Sequence, residues 1–202
     1  MKSFKFLSLT LVVGSLNFLT GCGNEDPVKE DIPELITKAT VTFTPSTGAP
    51  IIIITATDPD GKGPQSIATN GPINLTRNIS YTLSIQLINE LAKSTDPEYD
   101  ITAQVQEEGY EHQFYFSWTD GVFSDPAGNG NIDNRADKIN YKDKDKNNLP
   151  IGISTDWKAG TTTSTGTPFR IVLKHQPDLK SATSTFNDGE TDLDVTFTIN
   201  VN

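Results

Sequence analysis

An antiparallel β-sandwich is the fold class that this chain of 202 residues predicts. Three observations carry it. Segments of alternating apolar and polar residues recur along the chain, as in strands with one buried face. Fifteen glycines and twelve prolines, with abundant Thr and Ser, punctuate them with turn chemistry. Only one short stretch has helical spacing, whereas an α/β fold needs amphipathic helices between its strands. The length suits one domain with a real core.

Residues 1–21 read as a signal peptide. Lys2 and Lys5 form a basic start, and Phe6 to Phe18 is largely apolar. That stretch has the length of a signal-peptide core and is too short for a comfortable transmembrane helix. Leu19-Thr20-Gly21-Cys22 follows, and it resembles the lipobox of bacterial lipoproteins. The resemblance implies cleavage before Cys22 and lipidation of Cys22 by diacylglyceryl and an N-acyl chain. Stable anchoring takes more than one acyl chain, because each buried methylene contributes only about 0.8 kcal/mol. Cys22 is the single cysteine, so no disulfide forms within the chain, and lipidation leaves no thiol for catalysis.

Residues 22–34 are polar, acidic and hold two prolines, and read as a lipidated tether. Glu25 and Asp26 resemble the surface-export signal of Bacteroidota lipoproteins. That implies a place at the outer membrane, displayed on the surface rather than facing the periplasm.

The sandwich domain is expected over residues 35–202. Leu35 to Pro45 alternates Ala39, Val41 and Phe43 against threonines. Ile51 to Thr57 is a short apolar run, closed by the turn Asp58-Pro59-Asp60-Gly61. Ile79 to Leu87 is the cleanest period-two segment. Asp100 to Glu108 breaks the pattern as one short helix, with Asp100 as its cap and Gly109 closing it. Glu107 to Trp118 holds the densest set of large side chains. His112, Phe114, Phe116 and Trp118 share one face there, which predicts the central strand of the core.

Thr119 to Asn148 is long and polar, with a short strand expected around Ile139 to Tyr141. Pro150 to Trp157 reads as a strand and Gly160 to Thr167 as a loop. Phe169, Ile171, Leu173 and His175 alternate on the next strand, and Leu193, Val195, Phe197 and Ile199 on the last. Seven or eight strands make the sandwich Ig-like in the broad sense.

The formal charge is −10, and loss of Lys2 and Lys5 with the signal takes it to −12. So acidic a surface repels phosphate backbones and excludes nucleic acid as a partner. The partners expected are the membrane, through the lipid, and a protein or glycan.

His112 opens its strand and His175 closes its own, both on the core-facing parity. If those strands pair antiparallel, both imidazoles arrive at one end of the sandwich. Glu111 is delivered there too, and the run Asp188-Gly189-Glu190-Thr191-Asp192 can join them. Two imidazoles and a carboxylate suit a transition metal, and two facing imidazoles suit haem iron. The bland alternative is that each histidine caps the rim of the core by hydrogen-bonding to loop backbone. Asp143, Asp145 and Asn147 have the D-x-D-x-N start of a calcium loop. Asn148 and Ser154 stand where an EF-hand needs Gly and Glu, which leaves only a looser Ca²⁺ site.

Neither histidine lies in a recognisable nucleophile motif. The reading is therefore a non-enzymatic ligand- or partner-binding module. A metal- or haem-binding lipoprotein, or a surface glycan hydrolase working with two of the many carboxylates, are the alternatives.

Glu108 to Phe114, Leu149 to Gly152, Lys174 to Pro177 and Asp188 to Asp192 resemble a group of small Bacteroidota lipoproteins, over about Ile36 to the C-terminus. Members often carry the label of the type 1 periplasmic-binding fold. That fold is α/β, and the strand pattern here implies all-β. The resemblance implies no activity.

Overall fold

The computed structural model describes residues 34–61 and 67–202. The signal peptide, Cys22 and all of the tether except Glu34 lie outside the described residues. No described helix is long and apolar enough to cross a membrane.

The body is all-β, with one short α-helix. The strands are β1 (Lys38–Pro45), β2 (Ile52–Thr57), β3 (Ala68–Thr69), β4 (Ile73–Leu75), β5 (Ser80–Ile88), β6 (His112–Trp118), β7 (Phe123–Asp125), β8 (Ser154–Ala159), β9 (Ser164–His175) and β10 (Glu190–Val201). They form a six-stranded sheet in the order β3-β2-β1-β5-β8-β7 and a four-stranded sheet in the order β4-β10-β9-β6. The sheets pack face to face. Phe43 of β1 meets Phe169 of β9 at 6.1 Å between ring centroids, and Trp157 of β8 meets Phe116 of β6 at 5.4 Å. Trp118 and Phe123 complete this aromatic centre, largely in edge-on contacts.

The helix α1 (Ile101–Glu107) has the cap the sequence predicts: Asp100 accepts from the Ala103 amide at 3.1 Å. Its other end is capped at Glu108. Gly109 follows the cap, and its amide donates to Gln106 O of the last turn at 3.4 Å. A Cβ there would stand 2.5 Å from the Ile151 side chain, so the glycine permits close packing.

Four expectations need correction. β6 is an edge strand, paired among the described strands with β9 alone. Its open side is covered by irregular chain: the Phe114 amide donates to Ile151 O, the Trp118 amide to Asn129 O, and the Asn131 amide to Phe116 O. Its outer face is covered too, since Tyr115 is fully buried and packs edge-on against Phe186 at 6.0 Å. The aromatic density reflects cover on every side, which periodicity does not separate from a central position.

Ile139 to Tyr141 forms no strand, only a single bridge from Tyr141 to Thr155. β8 starts at Ser154 rather than Pro150, because Asp143 draws the amides of Gly152, Ile153 and Ser154 to its carboxylate. The expected loop Gly160 to Thr167 is partly strand, since β9 continues back to Ser164 along the far end of β10. Within the sandwich one pair, β4 with β10, is parallel and the other strand pairs are antiparallel.

Candidate metal centre

His112 and His175 meet. β6 and β9 pair antiparallel with the two histidines directly opposite, and their rings stack 4.5 Å apart at 4°. His112 is fully buried and His175 nearly so. The His112 Nδ1 lies 3.1 Å from Glu108 O at the end of α1. A carbonyl only accepts, so Nδ1 carries the proton, and a neutral ring then presents its lone pair at Nε2. Fixing a ring in this way is what the backing partners of metal-binding histidines do.

Two carboxylates converge on the same point. In β10, Thr191 pairs with Lys174 and Leu193 with Leu173, which leaves Asp192 as the extra residue of a β-bulge. Strict alternation puts neighbouring side chains on opposite faces; the bulge buries both Leu193 and Asp192. Gly189 sets up the approach with φ +74°, where a Cβ would stand 2.0 Å from His175 O. Asp192 Oδ2 lies 3.6 Å from His112 Nε2. Glu34, just before β1, brings Oε1 to 3.1 Å from the same nitrogen with its side chain only 7% exposed. One ligand atom from each of Glu34, His112, His175 and Asp192 falls within 4.8 Å of all the others.

The polar bookkeeping here does not close with protein groups. Glu34 Oε2 and both Asp192 carboxylate oxygens are buried without a hydrogen-bond donor among the described residues. The His112 Nε2 is near two carboxylates but aligned for a hydrogen bond to neither. Charges concentrate accordingly. Burial pulls the His112 imidazole down, but Asp192 and Glu34 outweigh it and push it up to about 10. Burial alone would raise Glu34, yet His112 holds it down at about 2. Asp192 is pushed up to about 6 by burial and by the Glu34 charge beside it, despite His112.

Of the residues singled out from sequence, His112 and His175 come together as the strand ends suggest. Glu111 reaches His175, Oε2 to Nε2 at 3.5 Å, but is more exposed and is not one of the four converging groups. Asp192 belonged to the run named as able to join them. Glu34 closes the stretch that reads as tether, and no signal in the sequence ties it to the histidines. Asp143, Asp145 and Asn147 are placed elsewhere. Asp143 accepts from three backbone amides, and Asp145 Oδ1 accepts from the Asn147 and Leu149 amides. Asp145 Oδ2 pairs with Lys180 at 2.9 Å. These carboxylates staple the loop to the body.

Fold and site together define an all-β sandwich with a buried imidazole–carboxylate cluster at one end. No protein-family profile matches the chain, and no curated protein or solved structure matches it.

Proposed function

We propose that this protein is a lipid-anchored, non-enzymatic module that binds one divalent transition-metal ion through Glu34, His112, His175 and Asp192. The observation that carries it is the set of three buried carboxylate oxygens, Glu34 Oε2 and both of Asp192, without a donor among the described residues. A buried acceptor left unpaired costs about 1–3 kcal/mol, and more when charged. Even with both rings protonated, two imidazoles bring fewer N–H groups to the cluster than three oxygens need, since the His112 Nδ1 proton is taken by Glu108 O and Glu111 also draws on His175. A dication at their centre serves all of them.

Two nitrogens and two oxygens suit Zn²⁺ best, with other first-row ions following the usual affinity order. The rings lie parallel at 4.5 Å, and a turn of one about its Cβ–Cγ bond would let a nitrogen of each face one ion. Stacked imidazoles at this separation leave no slot for a porphyrin, which favours an ion over haem. Four buried protein ligands favour holding a metal over catalysis, since catalytic zinc keeps a position open. The lipobox-like segment supports an anchor at Cys22 and a place at the outer membrane, with the acidic pair after it supporting surface display. The resemblance to small Bacteroidota lipoproteins is compatible with this reading.

Calorimetric titration of metal-stripped protein with Zn²⁺ should give one site per chain, and elemental analysis of protein purified without chelator should give one bound ion. A His112→Ala/His175→Ala double variant that folds should bind at none. Equal zinc uptake by wild type and double variant would sink the proposal. Intact mass spectrometry of the mature chain tests the anchor: a Cys22 without added acyl mass would remove it.

A further inference from the structure

We infer that the metal is a clasp between the two sheets and that Glu34 is its jaw, so that metal binding fixes the point where the tether enters the body. This rests on the metal reading above. The ligands are divided unequally. His112, His175 and Asp192 sit on β6, β9 and β10, three neighbouring strands of the four-stranded sheet. Glu34 alone comes from the other side, four residues ahead of β1 in the six-stranded sheet.

The chain is already pinned just beyond it. The Thr37 amide donates to Ile88 O at 3.1 Å, the Thr37 hydroxyl accepts from the Glu90 amide at 2.7 Å, and Thr37 O accepts from the Asp58 amide at 2.8 Å. Glu34 therefore lies within three residues of a fixed point on one sheet and places its carboxylate against the other. Its Oε1 contact with His112 crosses from sheet to sheet at the rim of the sandwich. An ion held by all four residues ties Glu34 to three strands that β1 does not pair with. Without Glu34 three ligands remain, enough to bind more weakly but with no link to the entering chain.

Hydrogen–deuterium exchange on the mature lipoprotein in detergent micelles tests this, with mass spectrometry of peptides covering 34–37 and β5. Zinc should slow exchange in 34–37 by about tenfold or more over chelator-treated protein, and leave β5 unchanged. Glu34→Gln should weaken zinc binding by about tenfold or more and abolish the slowing. One-to-one zinc binding with the same exchange in 34–37 in both states would overturn the clasp and leave the metal site standing. Absence of zinc binding by wild type would overturn both. The wild-type comparison decides the matter even if the variant fails to fold.

Discussion

Lys180 reaches from the connection after β9 to a buried carboxylate, Asp145, at 2.9 Å and to Gly109 O at 2.5 Å. Both side chains are almost wholly buried, at 0% and 1% exposure. Burial works against the Asp145 carboxylate, but Lys180 and the Leu149 and Asn147 amides outweigh it and hold the group below its usual value. At Lys180 the balance is opposite: burial prevails over the pull of Asp145 and holds the ammonium below its usual value. The carboxylate has amides to share its charge, and the ammonium has only a carbonyl besides its partner. Lys180→Met strands the carboxylate and should cost about 3 kcal/mol in chemical denaturation. Asp145 contributes stability that is complete above its unfolded value near 3.9 and is lost as pH falls through its lower folded value. The variant should therefore lose less additional stability than wild type between about pH 4 and pH 2. Tyr141 offers a second check. Its hydroxyl donates to Phe114 O at 2.6 Å and accepts from Asn131 at 3.0 Å, and burial pushes it well above the usual phenol range. Tyr141→Phe should cost about 1–3 kcal/mol, read by the same unfolding curves. At this scale the sequence reveals the histidines, because strand parity and strand ends bring them together. It hides Glu34, because one glutamate in a polar run looks like any other until a histidine 78 positions later folds against it.

Element boundaries were legible where one face is wet and obscure where both are covered. β1, β5 and β10 alternate cleanly because only one side of each meets the core. β6 does not declare its place, since its neighbours on the open side are loop atoms whose hydrogen bonds leave no periodic trace. β3, β4 and β7 are too short to carry a period at all. The loop that seals β6 depends on one residue: Gly130 has φ +101°, and a Cβ there would stand 2.0 Å from Phe116 O. Gly130→Ala should push that loop off the edge. It is expected to destabilise by more than the roughly 1 kcal/mol of an ordinary glycine replacement and to raise amide exchange at Asn131. Asp100→Ala removes the only side-chain cap seen on α1 and should cost about 1 kcal/mol. The bulge at Asp192 was invisible beforehand, because a run of Asp, Gly, Glu and Thr reads as a turn until its register against Lys174 is known.

For the whole molecule, the sandwich itself was readable from composition and period, whereas the assignment of each strand to a sheet was not. Sheet order follows long-range pairing, such as β1 with β5 and β4 with β10, that no local pattern encodes. The proposed ion should act at this scale. A ligand that binds only the folded state stabilises it by about 2.7 kcal/mol at one hundred times its dissociation constant. Zinc at that level should raise the melting temperature of the metal-stripped protein by several degrees, and chelator should reverse the rise. A melting curve indifferent to zinc would argue against a site shared between sheets.

The position of β1 has a mechanical consequence. It lies between β2 and β5, antiparallel to both, with eight residues in register along β5. A pull on the N-terminal side of Glu34 would run lengthwise down β1, loading both ladders in shear so that their bonds share the force. Peeling them one at a time would need traction from the side. The proposed anchor at Cys22 would thereby grip the domain along its most resistant direction.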